Sequence, residues 1–174
     1  MSDSLEIPEA KRPFEKRVAI TIAVLAAALS FIGNVGDNAK TDAIIKTNEA
    51  SNAWGYYQAK SIKERICGSE MDTLGILFAG GDRNALDEKT KSLREDIARY
   101  QKESSEIKSD AEKLTQEAAH CSKVNDRCDQ SSLILQLAII LCSVAILSEW
   151  RALWLTGIAA GAVGVILGAT ALML

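Results

Sequence analysis

Between Asp82 and Thr156 the chain has neither glycine nor proline, although it holds 11 and 2 of them in all. A stretch that long without a helix breaker excludes a loop-rich globule and points to one long helix. Aromatic residues make up only 5% of the chain, too few for a large packed globular core. The single histidine, His120, stands beside Cys121 with Cys128 and Asp129 further on. Adjacent residues diverge by about 100° on a helix, however, and no paired CxxC or HxxxH gives the spacing of a metal site. No Gly-rich phosphate loop follows a strand, because no strand is evident. The balance of 20 Lys and Arg against 23 Asp and Glu, with both signs interleaved, excludes the basic face that nucleic acid requires. No enzymatic activity, catalytic residue, cofactor, metal site or small-molecule substrate is indicated.

What is present is sharply segregated. Val18 to Gly36 and Ala152 to Leu174 carry no charge, while the charged residues crowd the stretch between. Val18 to Gly36 would run about 28 Å as a helix, enough to span a bilayer. A secretory signal peptide has a shorter apolar core and a small-residue cleavage site. The length of this run and the poor site near Gly33 to Gly36 favour a retained anchor. Leu133 to Leu147 is shorter, at about 22 Å, and needs Ser131, Ser132 and Ser148 to help cross a hydrocarbon layer of about 30 Å. Ser148-Glu149-Trp150-Arg151 then forms a tight turn into the third run, with Trp150 and Trp154 at interface depth.

Along the long helix Leu86, Thr90, Leu93, Ile97, Tyr100, Ser104, Ile107, Ala111, Leu114, Ala118, Cys121, Asn125 and Cys128 follow one another at alternating steps of four and three. This is a heptad seam, and it continues without a phase break through Ser132, Leu135, Ile139, Cys142 and Ile146. On the other side Asp87, Lys91, Glu95, Arg99 and Glu103 alternate in sign every fourth residue as a solvated ladder. Upstream, Asp37 to Phe78 has a ragged helical stripe that Gly68 is expected to interrupt. The Gly80-Gly81-Asp82 break makes the pair a helical hairpin, and sets Tyr57 opposite the neighbourhood of Ser104 and Ser105.

The predicted fold is therefore all-α, with three transmembrane helices and a long antiparallel helical-hairpin (coiled-coil) stalk between the first and second spans. Its parts are a disordered tail over 1–17, the first span over 18–36, the stalk over 37–131 with its tip near 80–84, the second span over 132–148 and the third over 152–174.

Two stripes of small residues point to close helix packing. Gly157, Gly161, Gly164 and Gly168 share one face of the third run, and Ala19, Ala23, Ala26, Ser30 and Gly33 share one face of the first. The two faces could pack backbone to backbone, within one subunit or between two. Trp54, Tyr56, Tyr57, Gln58 and Lys60 form either a docking patch, since Trp and Tyr dominate binding hot spots, or a packing cluster against the returning helix. Cys121 and Cys128 lie about 10 Å apart along an intact helix, beyond disulfide reach. They read as small core residues; an inter-subunit disulfide or a locally broken helix are the alternatives.

The block Ala50-Ser51-Asn52-Ala53-Trp54-Gly55-Tyr56-Tyr57-Gln58-Ala59-Lys60-Ser61-Ile62-Lys63 resembles the bacterial membrane proteins filed as domain of unknown function 4337. A second block, Asp96-Ile97-Ala98-Arg99-Tyr100-Gln101-Lys102-Glu103 with Glu106-Ile107-Lys108 and Ala111-Glu112, is similar to that family's return helix. The resemblance implies a small multi-pass protein of the bacterial inner membrane, and it implies no activity. Its partners would be the lipid bilayer and either further copies of itself or another envelope protein. The expected role is structural, as a scaffold or assembly factor; a channel-forming oligomer lined by Ser30, Asn34 or Gln136 is the alternative. Lys11, Arg12, Lys16, Arg17 and Arg151 place the N-terminus in the cytoplasm and the stalk in the periplasm.

Overall fold

The structure, a computed structural model, describes residues 13–77 and 83–173. It consists of three helices: α1 (Pro13–Leu77), α2 (Arg83–Ser148) and α3 (Arg151–Ala171). Among the described residues there is no strand. Each helix contains a window apolar enough to cross a membrane. Two compact units form, one from the chain up to Thr41 with Cys121 onward, the other from Asp42 to His120. The expected hairpin tip at Gly80-Gly81-Asp82 and the first 12 residues of the expected tail lie outside the described residues.

Helix α1 starts earlier than the sequence suggests. Proline at the first helical position loses no hydrogen bond, because that amide has no partner in the helix anyway. Residues 13–17, read above as tail, are therefore helical, and Phe14 sets its ring edge-on to Trp154 with centroids 5.7 Å apart. Nor does Gly68 interrupt α1, which runs through it unbroken. An isolated glycine costs a helix only about 1 kcal/mol relative to alanine, which a long helix tolerates.

In the first unit α1 and α3 run parallel and α2 runs antiparallel to both. Phe14, Leu25 and Ile32 of α1 meet Trp154, Gly161 and Gly168 of α3 in the same chain order. Cys142, Leu135 and Ser131 of α2 meet Gly157, Gly164 and Gly168 in reverse order. Val18, Leu25, Ile32, Cys128, Leu135, Ala138, Cys142 and Ala171 form the buried core. The α2–α3 turn takes two residues: Glu149 adopts the left-handed conformation with φ 52°, and Trp150 is extended. That reversal is sharp enough to return α3 along α2.

The second unit is an antiparallel helix pair. Lys46 pairs with Glu117 and Lys60 with Glu103, while Gln101 Nε2 donates to Glu64 Oε1 at 2.8 Å. Partner numbers thus fall on α2 as they rise on α1. Its buried residues are mostly small, Ala50, Ala111, Ala118 and Ser104, with Leu93 the one large side chain among them. Every position of the seam from Leu86 to Ile146 is buried or half-buried, whichever unit it falls in. The 3.5-residue period is the physical reason, since it keeps one line of α2 turned toward its neighbour.

Candidate functional site

The four glycines of α3 are all buried, and each is a hole filled by a knob from another helix. A Cβ built on Gly157 would stand 2.7 Å from Cys142 Sγ, and one on Gly161 only 2.5 Å from Leu25 Cδ2. One on Gly164 would meet Leu135 Cγ at 2.9 Å, and one on Gly168 would meet Ile32 Cδ1 at 2.4 Å. Successive glycines thus face α2 and α1 alternately, because steps of four and three swing the side-chain direction to either side of a mean line. Ser131, fully buried, donates its hydroxyl to the Gly164 carbonyl at 2.7 Å. That bond satisfies the one polar atom that this close approach would otherwise strand.

The matching stripe on α1 is not the partner of this face. Ala19, Ala23, Ala26 and Ser30 are exposed, and a Cβ on Gly33 would meet nothing within 4 Å. The physical reason is volume: glycine holes between two neighbours are filled by large knobs, and Leu25 and Ile32 fill them where alanines would leave voids. Of the polar residues considered for a pore, Ser30, Asn34 and Gln136 are all exposed, and Asn34 Nδ2 donates to the Ser30 carbonyl of its own helix at 3.0 Å.

The aromatic block of α1 is divided by the structure. Trp54 and Tyr57 stack edge to face with centroids 5.6 Å apart, and both are half-buried. Trp54 Nε1 donates to Thr115 Oγ1 across the pair at 3.5 Å. The Lys60 ammonium lies 5.4 Å from the centre of the Tyr100 ring and pairs with Glu103. Trp54 and Lys60 contact α2 and Tyr57 rests on Trp54, whereas Tyr56 and Gln58 are exposed. The five residues therefore do not make one surface. Glu103 likewise departs from the solvated ladder: it turns to Lys60, whose hydrogen bond holds its carboxyl below the usual range. Lys46 does the same to Glu117.

A feature missed by the sequence reading lies on the far side of α1. Ile44, Ile45, Tyr56, Ile62 and Ile66 are all exposed, Tyr56 by 67%. At 100° per residue these five fall within an arc of about 120° turned away from α2. The ragged stripe hid this second apolar line, because both lines share the helical period.

All four cysteines are free. Cys128 and Cys142 are buried against Gly36 and Gly157, and Cys67 and Cys121 are half-buried. Among the described residues no group of His, Cys, Asp or Glu is placed to hold a metal ion. At the N-terminal ends of α1 and α3 a cavity of about 500 Å³ is lined by Phe14, Glu15, Arg17, Glu149, Arg151 and Trp154. A second, apolar recess of about 540 Å³ follows between the same helices.

Together these features define a class: an all-α chain of three long helices, each apolar enough over part of its length to cross a membrane. Residues 14–174 match the model of the family described as domain of unknown function (DUF4337), and the chain belongs to that family. No curated protein and no solved structure matches it.

Proposed function

We propose that the chain is a three-span protein of the bacterial inner membrane that acts by association rather than by chemistry, as a scaffold or assembly factor. The α1–α2 pair of the second unit is its stalk, standing outside the bilayer between the first and second spans. Self-association through the stalk is its mode of action. The observation that carries this reading is the outward line of Ile44, Ile45, Tyr56, Ile62 and Ile66, which α2 leaves uncovered. An apolar line of this extent on a water-exposed helix marks an interaction surface.

Arg17 and Arg151 line one cavity at the same end of the first unit. Basic residues flanking short connections face the cytoplasm, so this end is cytoplasmic and the stalk periplasmic. The test is the oligomeric mass of the purified protein, measured by light scattering with Ile62→Lys/Ile66→Lys beside the parent chain. The parent is expected as an oligomer and the double variant as a monomer with unchanged helicity. A parent that is already monomeric overturns the proposal. Reconstitution followed by single-channel recording separates the scaffold from a pore, since a scaffold conducts nothing.

A further inference from the structure

The two recesses between α1 and α3 lie on one line. Both helices run in the same direction here, and the apolar recess follows the cavity along them, with the Trp154 Nε1 to Thr21 Oγ1 hydrogen bond at the boundary between the two. Arg17, Thr21 and Val24 succeed one another along α1, as Arg151, Trp154, Ile158, Ala162 and Val165 do along α3. The mouth is polar and charged. Beyond it Ile20, Val24, Ile158, Ala162 and Val165 line a groove whose floor is Leu25 on Gly161. Thr21 is the single hydroxyl in that groove, and it is engaged, donating to the Arg17 carbonyl at 3.0 Å and accepting from Trp154 Nε1 at 3.3 Å. The groove therefore offers a ligand apolar contact and no open hydrogen bond.

A charged mouth followed along the same two helices by an apolar groove matches an amphiphile with a small headgroup and a long chain. The charges of the mouth narrow the headgroup. Arg17 and Arg151 are exposed and make no ion pair among the described residues, and guanidinium is the side chain best shaped for phosphate. The first amides of α3 also face this end, and its N-cap Trp150 supplies no side-chain hydrogen bond to them. Half-buried Glu15 and exposed Glu149 line the same cavity. A purely anionic headgroup would be set against those carboxylates, whereas one that carries a primary ammonium beside its phosphate satisfies both signs. Its N–H groups donate to a carboxylate, as a quaternary ammonium cannot.

We propose that the α1–α3 groove is a binding site for a phospholipid with a phosphoethanolamine headgroup. The phosphate sits between Arg17 and Arg151, the ammonium faces Glu15, and one acyl chain lies along Ile20, Val24, Ile158 and Val165. The site rests on the membrane-spanning reading.

The test is native mass spectrometry of the full chain in detergent, titrated with phosphatidylethanolamine, phosphatidylglycerol and phosphatidylcholine of identical acyl chains. Phosphatidylethanolamine is expected to bind about tenfold more tightly than either other lipid, and Arg17→Gln or Arg151→Gln should remove that preference. Ala162→Phe, at an exposed position that fills the groove, should weaken all three lipids while the melting temperature stays within a few degrees of the parent. Glycerophosphoethanolamine, the same headgroup without chains, should fail to compete at equal concentration. Equal binding of the three lipids, or unchanged selectivity in both arginine variants, overturns the proposal and leaves the membrane reading standing. Full competition by the chain-free headgroup would show a phosphate site without a lipid groove, and would also overturn it. A chain that stays monodisperse without detergent would instead refute the membrane reading.

Discussion

Leu25 seats its side chain directly on the backbone of Gly161, leaving no room there for even one added carbon. The approach of α3 to α1 is set by that absence. Gly161→Leu should therefore force the helices apart and lower the thermal stability of the detergent-solubilised protein, by about 1–3 kcal/mol as an overpacked site. Val163→Leu, on an exposed face of the same helix, should change it by less than about 0.5 kcal/mol. Equal melting temperatures for the two variants would show that the glycine face is not a packing surface.

In the second unit Leu93 is the large side chain among the buried seam residues, where Ser104, Ala111 and Ala118 are small. Leu93→Asp places a charge where α1 excludes water, and should splay the pair at a cost of several kcal/mol. Glu95→Ala, on the exposed side, should cost under about 1 kcal/mol. Helicity by circular dichroism during a denaturant titration separates the two, and equal sensitivity would mean that the seam is not buried.

The cross-helix ion pairs make this unit acid-sensitive. The hydrogen bond from Lys60 lowers the Glu103 carboxyl below its ordinary value of 4.5, and that from Lys46 lowers Glu117 likewise. In the window between the folded and unfolded values the unfolded chain binds more protons, so stability rises with pH there. The contribution is fully present above the unfolded value and is lost as pH falls through the folded ones. Thermal melts between pH 6 and pH 3 should show a fall that begins near the ordinary carboxylate value. Lys46→Gln/Lys60→Gln should flatten it, and an unchanged slope in that variant would remove these pairs as the cause.

Helices, seam and glycine face were legible because each leaves a period in the sequence. A line of residues at steps of four and three records which side of α2 is covered, and Leu93, Ala111, Cys128 and Leu135 are buried on it. What fills the glycine holes was not legible. The rotation of α1 about its axis depends on two neighbours at once, and the alanine stripe carried the stronger local signal although Leu25 and Ile32 won the contact. Pro13 to Arg17 was misread because charge and proline suggest a tail, while Phe14 has its anchor far away in sequence at Trp154. The α1–α3 groove was invisible for the same reason: its walls are two segments more than a hundred residues apart, and neither carries a motif.

The proposal that the chain crosses the membrane, with the α1–α2 pair of the second unit as a periplasmic stalk, is tested most directly by paired cysteine labelling. Ser51→Cys and Trp150→Cys are both at exposed positions, one in the second unit and one in the α2–α3 turn. A membrane-impermeant thiol reagent applied to intact spheroplasts should label Ser51→Cys above the level of the parent chain and leave Trp150→Cys at that level until the inner membrane is opened. Labelling of both positions in intact spheroplasts, or of Trp150→Cys alone, would contradict the account.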